Sequence, residues 1–108
     1  MAAKGRMKLK IQNKNGKVVM QLNGNLDGSG ACQVESALER LQGLPANSKL
    51  IFDLSGIRNF EYFGVAILAK SIRRQKNKFQ QVSLVGLEIS VANVFRHFGL
   101  KSTLGIQN

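Results

Sequence analysis

The order of segments in this sequence predicts an α/β fold, a single mixed β-sheet with helices packed mainly on one side. Three observations carry that expectation. The chain opens on two short alternating segments joined through Asn15-Gly16, the pair that favours a hairpin turn. Its middle holds the compact apolar run Leu50-Ile51-Phe52-Asp53-Leu54, too short for a helix and rich in β-formers. From there strand-like and helix-like segments alternate, the order expected of parallel strands joined by helical crossovers.

Taken in order, residues 1–6 read as a loose basic tail and 7–106 as one domain. Met7 to Gln12 alternates apolar and polar as a strand with one wet face does. Asn13 to Lys17 is the turn, and Val18 to Leu22 the second arm. Gly24 to Gly30 is glycine-rich but lacks both the Gly-Lys-Ser/Thr ending of a phosphate loop and dinucleotide spacing, so it reads as a strand-to-helix connection. Either Asp27 or Ser29 caps the next helix, roughly Ala31 to Leu41, with Val34, Ala37, Leu38 and Leu41 facing a sheet. Gly43 is the expected C-terminal cap and Pro45 the stop. After the strand Leu50–Leu54, Ser55-Gly56 reads as a turn and residues 57–60 as loop. A second helix then carries Val65, Leu68, Ala69 and Ile72 on one face. Gln81 to Leu87 is the next strand. Ser90 is the expected cap of a third helix with Val91, Val94, Phe95 and Phe98 on one face, closed by Gly99. Ser102 to Ile106 makes a final short strand.

With 108 residues the chain is long enough to bury roughly two-thirds of its unfolded surface without staples. A single cysteine, Cys32, excludes an intrachain disulfide and a multi-cysteine metal site, and is expected to be a small buried or half-buried hydrophobe. The basic N-terminus has no apolar stretch behind it, and the longest apolar run, Tyr62 to Ala69, is far short of a membrane span, so a soluble cytoplasmic protein is expected.

Sixteen Lys and Arg against six Asp and Glu give a net charge of +10. The basic residues cluster. Six lie in the first seventeen positions, and Lys70, Arg73, Arg74, Lys76 and Lys78 follow along the second helix and its end. A nucleic acid, an acidic lipid surface or an acidic protein suits such clusters. An enzyme does not fit, because there is one histidine, His97, and no Cys-His or His-Glu constellation. Asp27 and Glu61 are the one plausible carboxylate pair, and two oxygen ligands make a poor metal cage. No cofactor and no metal is expected.

Five segments, in order, carry a family likeness over about residues 7–106: Gly24-Asn25-Leu26-Asp27, Ile51-Phe52-Asp53-Leu54-Ser55-Gly56-Ile57, Phe60-Glu61-Tyr62-Phe63-Gly64-Val65, Val85-Gly86-Leu87 and His97-Phe98-Gly99-Leu100. They resemble STAS domains, typified by bacterial anti-sigma factor antagonists. The resemblance implies an N-terminal β-hairpin followed by βαβα units, and a non-catalytic module that docks onto an anti-sigma factor or switch kinase. In that family the serine before the second-helix glycine is phosphorylated, which inserts about two negative charges and breaks the contact. Phe63 stands at that position here, with Tyr62 beside it and Glu61 keeping the acidic neighbour one methylene longer. The resemblance puts Asp27 close to the same site.

The expected partner surface is therefore Asp27, Glu61, Tyr62, Phe63, Gly64, Ile67, Lys70, Arg73 and Arg74, within and beside the loop and helix start at 58–74. Phe63 shares its helical azimuth with Ala66, Lys70 and Arg74, away from the core stripe, which makes it an exposed apolar spot with a basic border. Lys70, Arg73, Arg74 and Asn77 are expected to be exposed together. With no acceptor at the family position, Ser29 is the remaining candidate for a phosphate, and binding is expected to be constitutive. The alternative is a STAS-type accessory subunit, for example of a transport complex, associated with nucleic acid or an anionic membrane. The oligomer expected is a monomer or weak homodimer.

Overall fold

The computed structural model describes residues 7–41 and 43–99. Strands β1 (Lys8–Lys14) and β2 (Lys17–Leu26) are followed by helix α1 (Gly28–Glu39), strand β3 (Lys49–Phe60), helix α2 (Tyr62–Gln75), strand β4 (Gln81–Val85) and helix α3 (Ile89–His97). Asn15 and Gly16 both take positive φ, 54° and 77°, the turn that matches the twist of a two-residue hairpin. The strand order is β1-β2-β3-β4, with β1 antiparallel to β2 and the other neighbours parallel. The expected mixed sheet is thus present. The expected strand at Ser102 to Ile106 and the tail at 1–6 lie outside the described residues.

One sheet face supplies the core. Val18, Met20 and Leu22 of β2, Leu50, Phe52 and Leu54 of β3, and Val82 and Leu84 of β4 are buried on it. Against them pack Ala31, Val34, Ala37 and Leu38 of α1, Val65, Leu68, Ala69 and Ile72 of α2, and Val91, Ala92 and Phe95 of α3. The second-helix stripe read from the 3.6-residue period is buried in full. α1 lies beside α2, and α2 beside α3, in one layer.

Several boundaries differ from the sequence reading. β3 does not turn at Ser55-Gly56. The Asp53 carboxylate takes the Ser55 N–H at 3.0 Å and the Ser55 hydroxyl at 2.7 Å, which ends pairing with β4 at Asp53↔Val85. Pairing with β2 continues, through irregular register, to Leu26↔Phe60. Gly56 permits this, because a Cβ there would collide with the Asn23 side chain. For the same reason residues 24–26 belong to β2 and are not a connection.

α1 starts three residues earlier than periodicity suggested because its cap is Asp27, whose carboxylate accepts the Gly30 N–H at 2.7 Å, and Ser29 is an exposed first-turn residue. It ends at Glu39 with Arg40 as the cap, so Gly43, at φ 73°, lies in the loop beyond. α2 begins at Tyr62, ahead of its apolar stripe. β4 stops at Val85, where Gly86 turns with φ 74° against Ser55. Ser90 is inside α3, whose N-cap is Glu88 with no side-chain cap bond. Cys32 is exposed, correcting the expectation of burial, because it lies a third of a turn from the Ala31–Val34–Leu38 face.

Candidate functional site: two helix starts side by side

The register pair Leu26↔Phe60 closes β2 and β3 at the same sheet edge, and the next residue of each, Asp27 and Glu61, is the N-cap of the helix that follows. The Glu61 N–H donates to the Leu26 carbonyl at 3.0 Å, tying the two exits together. Gly64 lies directly over that junction. A Cβ there would collide with the Leu26 carbonyl oxygen and sit 2.7–2.8 Å from the Asp27 backbone. The fold therefore does bring Asp27 beside the Phe63-Gly64 position, across 36 residues of sequence.

The two acids serve differently. Asp27 commits one carboxylate oxygen to its own helix, whereas Glu61 makes no side-chain cap bond and is exposed. Between them, Asn25, Leu26, Asp27, Asn59, Phe60 and Glu61 line an open hollow, in which the Asn59 amide donates to the Asn25 side-chain oxygen at 3.1 Å. Among the described residues no group of three or more His, Cys, Asp and Glu is placed to hold a metal.

Two aromatic rings fork from the start of α2. Phe63 is 67% exposed and lies across Gly28 at the start of α1, where a Cβ would be 3.2 Å from two of its ring carbons, with Ile67 next to it. Tyr62, 54% exposed, leans the other way to the end of α3. Its ring centroid is 5.0 Å from that of Phe98 and 6.0 Å from that of His97, with the planes tilted by 48° and 58°, separations usual for aromatic pairs. Phe63 is not a core residue.

The basic stripe is exposed, as expected, at Lys70, Arg73, Arg74 and Asn77. It is nonetheless divided. Arg74 turns toward α1 and pairs with Glu35 at 2.7 Å, an oxygen that also accepts from the Ser71 hydroxyl at 3.4 Å. Arg73 reaches the opposite way, to Gly99 at the end of α3. Glu35 faces α2 from a neighbouring helix, which no pattern within α2 reveals. The same holds for His97, Phe98 and Gly28: sequence reasoning left them out of the surface because their proximity to Tyr62 and Phe63 exists only after the helices pack.

A family model described as "Mlab, STAS domain" matches residues 9–106. The chain belongs to the STAS family. Among solved structures, this STAS domain is similar to an anti-sigma factor antagonist from Mycobacterium paratuberculosis, with 20% identity and a TM-score of 0.73, covering 98% of this chain and 89% of that one. It is similar to the anti-sigma factor antagonist SpoIIAA in its unphosphorylated form, with 18% identity and a TM-score of 0.70, covering 94% of this chain and 89% of that one. It also matches the murine Slc26a9 anion transporter at 17% identity and a TM-score of 0.66, covering 95% of this STAS domain but 20% of the transporter chain. The chain spans only 17% of the Mglu chain with which it shares 21% identity at a TM-score of 0.57. At these identities the likeness is one of fold. No curated protein sequence matches.

Proposed function

We propose that this STAS domain is a non-catalytic protein-interaction module that docks a regulatory protein, of the anti-sigma factor or switch-kinase kind, through the helix start at Glu61 to Ile67. The observation that carries the reading is the 67% exposure of Phe63 on the surface where two helix starts meet. An aromatic held outward at a packed junction, with Ile67 next to it and the exposed Lys70 further along the same side of α2, has the composition of a binding hot spot. The position is the one at which the family's antagonists carry a serine, and a phenylalanine there accepts no phosphate, so docking is constitutive.

The test is one residue, changed two ways. Immobilised parent, Phe63→Ser and Phe63→Glu are each used to capture proteins from a lysate of the chain's own organism, and the retained protein is then titrated in purified form. Phe63→Ser is expected to leave the melting temperature nearly unchanged and to weaken the partner at least tenfold, since truncating an aromatic anchor commonly costs over about 2 kcal/mol of affinity. Phe63→Glu should weaken it further by adding a fixed charge. A partner held as tightly by Phe63→Glu as by the parent ends the proposal, and stoichiometric phosphate on Ser29, Ser55 or Tyr62 in native protein ends its constitutive part.

A further inference from the structure

Helices α1, α2 and α3 all lie on the face that buries Val18, Met20 and Leu22, and no described helix covers the other face of the sheet. Because side chains alternate along a strand and in-register partners share a face, the residues on the uncovered side follow from the pairing. Across the sheet they run Lys14↔Lys17↔Lys49↔Gln81, then Gln12↔Val19↔Ile51↔Ser83, then Lys10↔Gln21↔Asp53↔Val85, with Lys8↔Asn23 beyond. Lys8, Lys10, Lys14 and Lys17 are exposed and Lys49 is half-buried. Asp53 is the one acid in any of the four strands, and its carboxylate is occupied by Ser55 and by Gln21.

We infer that this face is a second interaction surface, and that its partner is an anionic lipid bilayer. Lys8, Lys10 and Lys14 extend over about 20 Å of the edge strand, while Lys17 and Lys49 carry the charge about 10 Å inward, so the ammonium groups define a plane and not a line. A planar field of lipid headgroups meets all five together, whereas a nucleic-acid duplex is a cylinder that touches a strip. The side chains of these rows agree: all five cations are lysines and no aromatic ring stands among them for base stacking, which leaves compact point charges around the aliphatic Val19, Ile51 and Val85, while the one guanidinium of the four strands, Arg58, lies beyond these rows toward the end of β3. Juxtamembrane lysines act additively on an anionic leaflet within a Debye length. The surface is separate from Phe63, which belongs to the helix layer, so both can be occupied at once.

Flotation with phosphatidylcholine vesicles, with and without about 30 mol% phosphatidylserine, tests the inference. The intact chain is expected to float with the anionic vesicles only, and to be released as salt rises toward about 0.5 M. Changing Lys10→Gln, Lys17→Gln and Lys49→Gln together should lower partitioning about a hundredfold at an unchanged melting temperature, while Lys70→Gln with Arg73→Gln on the helix layer changes it less than about threefold. Orientation is read without altering a lysine: a polarity-sensitive dye on Gln12→Cys, in a Cys32→Ser chain, should shift on anionic vesicles, and the same dye on native Cys32 should not. Equal flotation with neutral vesicles, no flotation, equal loss in the helix-layer variant, or a shift only at Cys32 overturns the inference. Displacement from the vesicles by duplex DNA at equal phosphate concentration overturns it in favour of nucleic acid.

Discussion

Asp53 shows how one side chain sets both geometry and titration. Its carboxylate takes the backbone N–H and the hydroxyl of Ser55, and these bonds to the charged form, the backbone one first, hold its pKa below the usual aspartate value against a smaller opposing effect of burial. A depressed folded-state pKa adds stability that is complete above the unfolded value, about 3.9, and is lost as pH falls through the lower folded value. Asp53→Asn is therefore expected to reduce stability at pH 7 and to flatten the acid limb below about pH 4, as followed by urea unfolding at a series of pH values. An acid limb identical to the parent's would show that the Ser55 bonds are not made in solution. Phe63 is the complementary case at this scale: its exposure was legible from azimuth alone, since a residue opposite a three-four-seven apolar stripe points away from the core.

At the scale of elements, the periodicities identified each helix and strand but not where each stopped. The second helix was legible because Val65, Leu68, Ala69 and Ile72 repeat at the helical period, whereas β3 was read short because Ser55-Gly56 carries turn residues. Pairing with β2 overrides that local preference, and Gly56 is used for close approach instead of a turn. Helix caps followed the same rule. Asp27 caps α1 through its carboxylate, while Ser90, an equally good cap by type, is drawn inside α3. At Gly64, α2 presses on the end of β2. Gly64→Ala should destabilise the domain by about 1–3 kcal/mol, the cost of overpacking, despite the better helix propensity of alanine. Denaturant titration reads this directly, and a stabilised variant would mean that α2 sits further from Asp27 than described.

The whole molecule separates its two surfaces. Asp27 and Glu61 lie at the helix starts, with Phe63 and Tyr62, while five lysines occupy the uncovered sheet face. If the two surfaces are independent, Phe63→Glu should leave vesicle partitioning within about threefold of the parent, and the three-lysine variant should leave partner affinity likewise unchanged, because sites without shared contacts behave additively. A partner titration in the presence of anionic vesicles measures this, and mutual exclusion would place both ligands on one surface. Among the described residues no helix is long and apolar enough to cross a membrane.

The Asn15-Gly16 turn, the helical stripe of α2 and five short segments in order determined the fold class and the family likeness, because each is a local pattern along a dozen residues or fewer. Proximity was decided by the tertiary structure. Only when β2 and β3 end in register do Asp27 and Glu61 become neighbouring caps, only when α3 packs beside α2 does Tyr62 meet His97 and Phe98, and only the pairing of three strands gathers Lys14, Lys17 and Lys49 into one row. Such contacts join residues tens of positions apart, and a local period holds no information about which distant element will stand across from it.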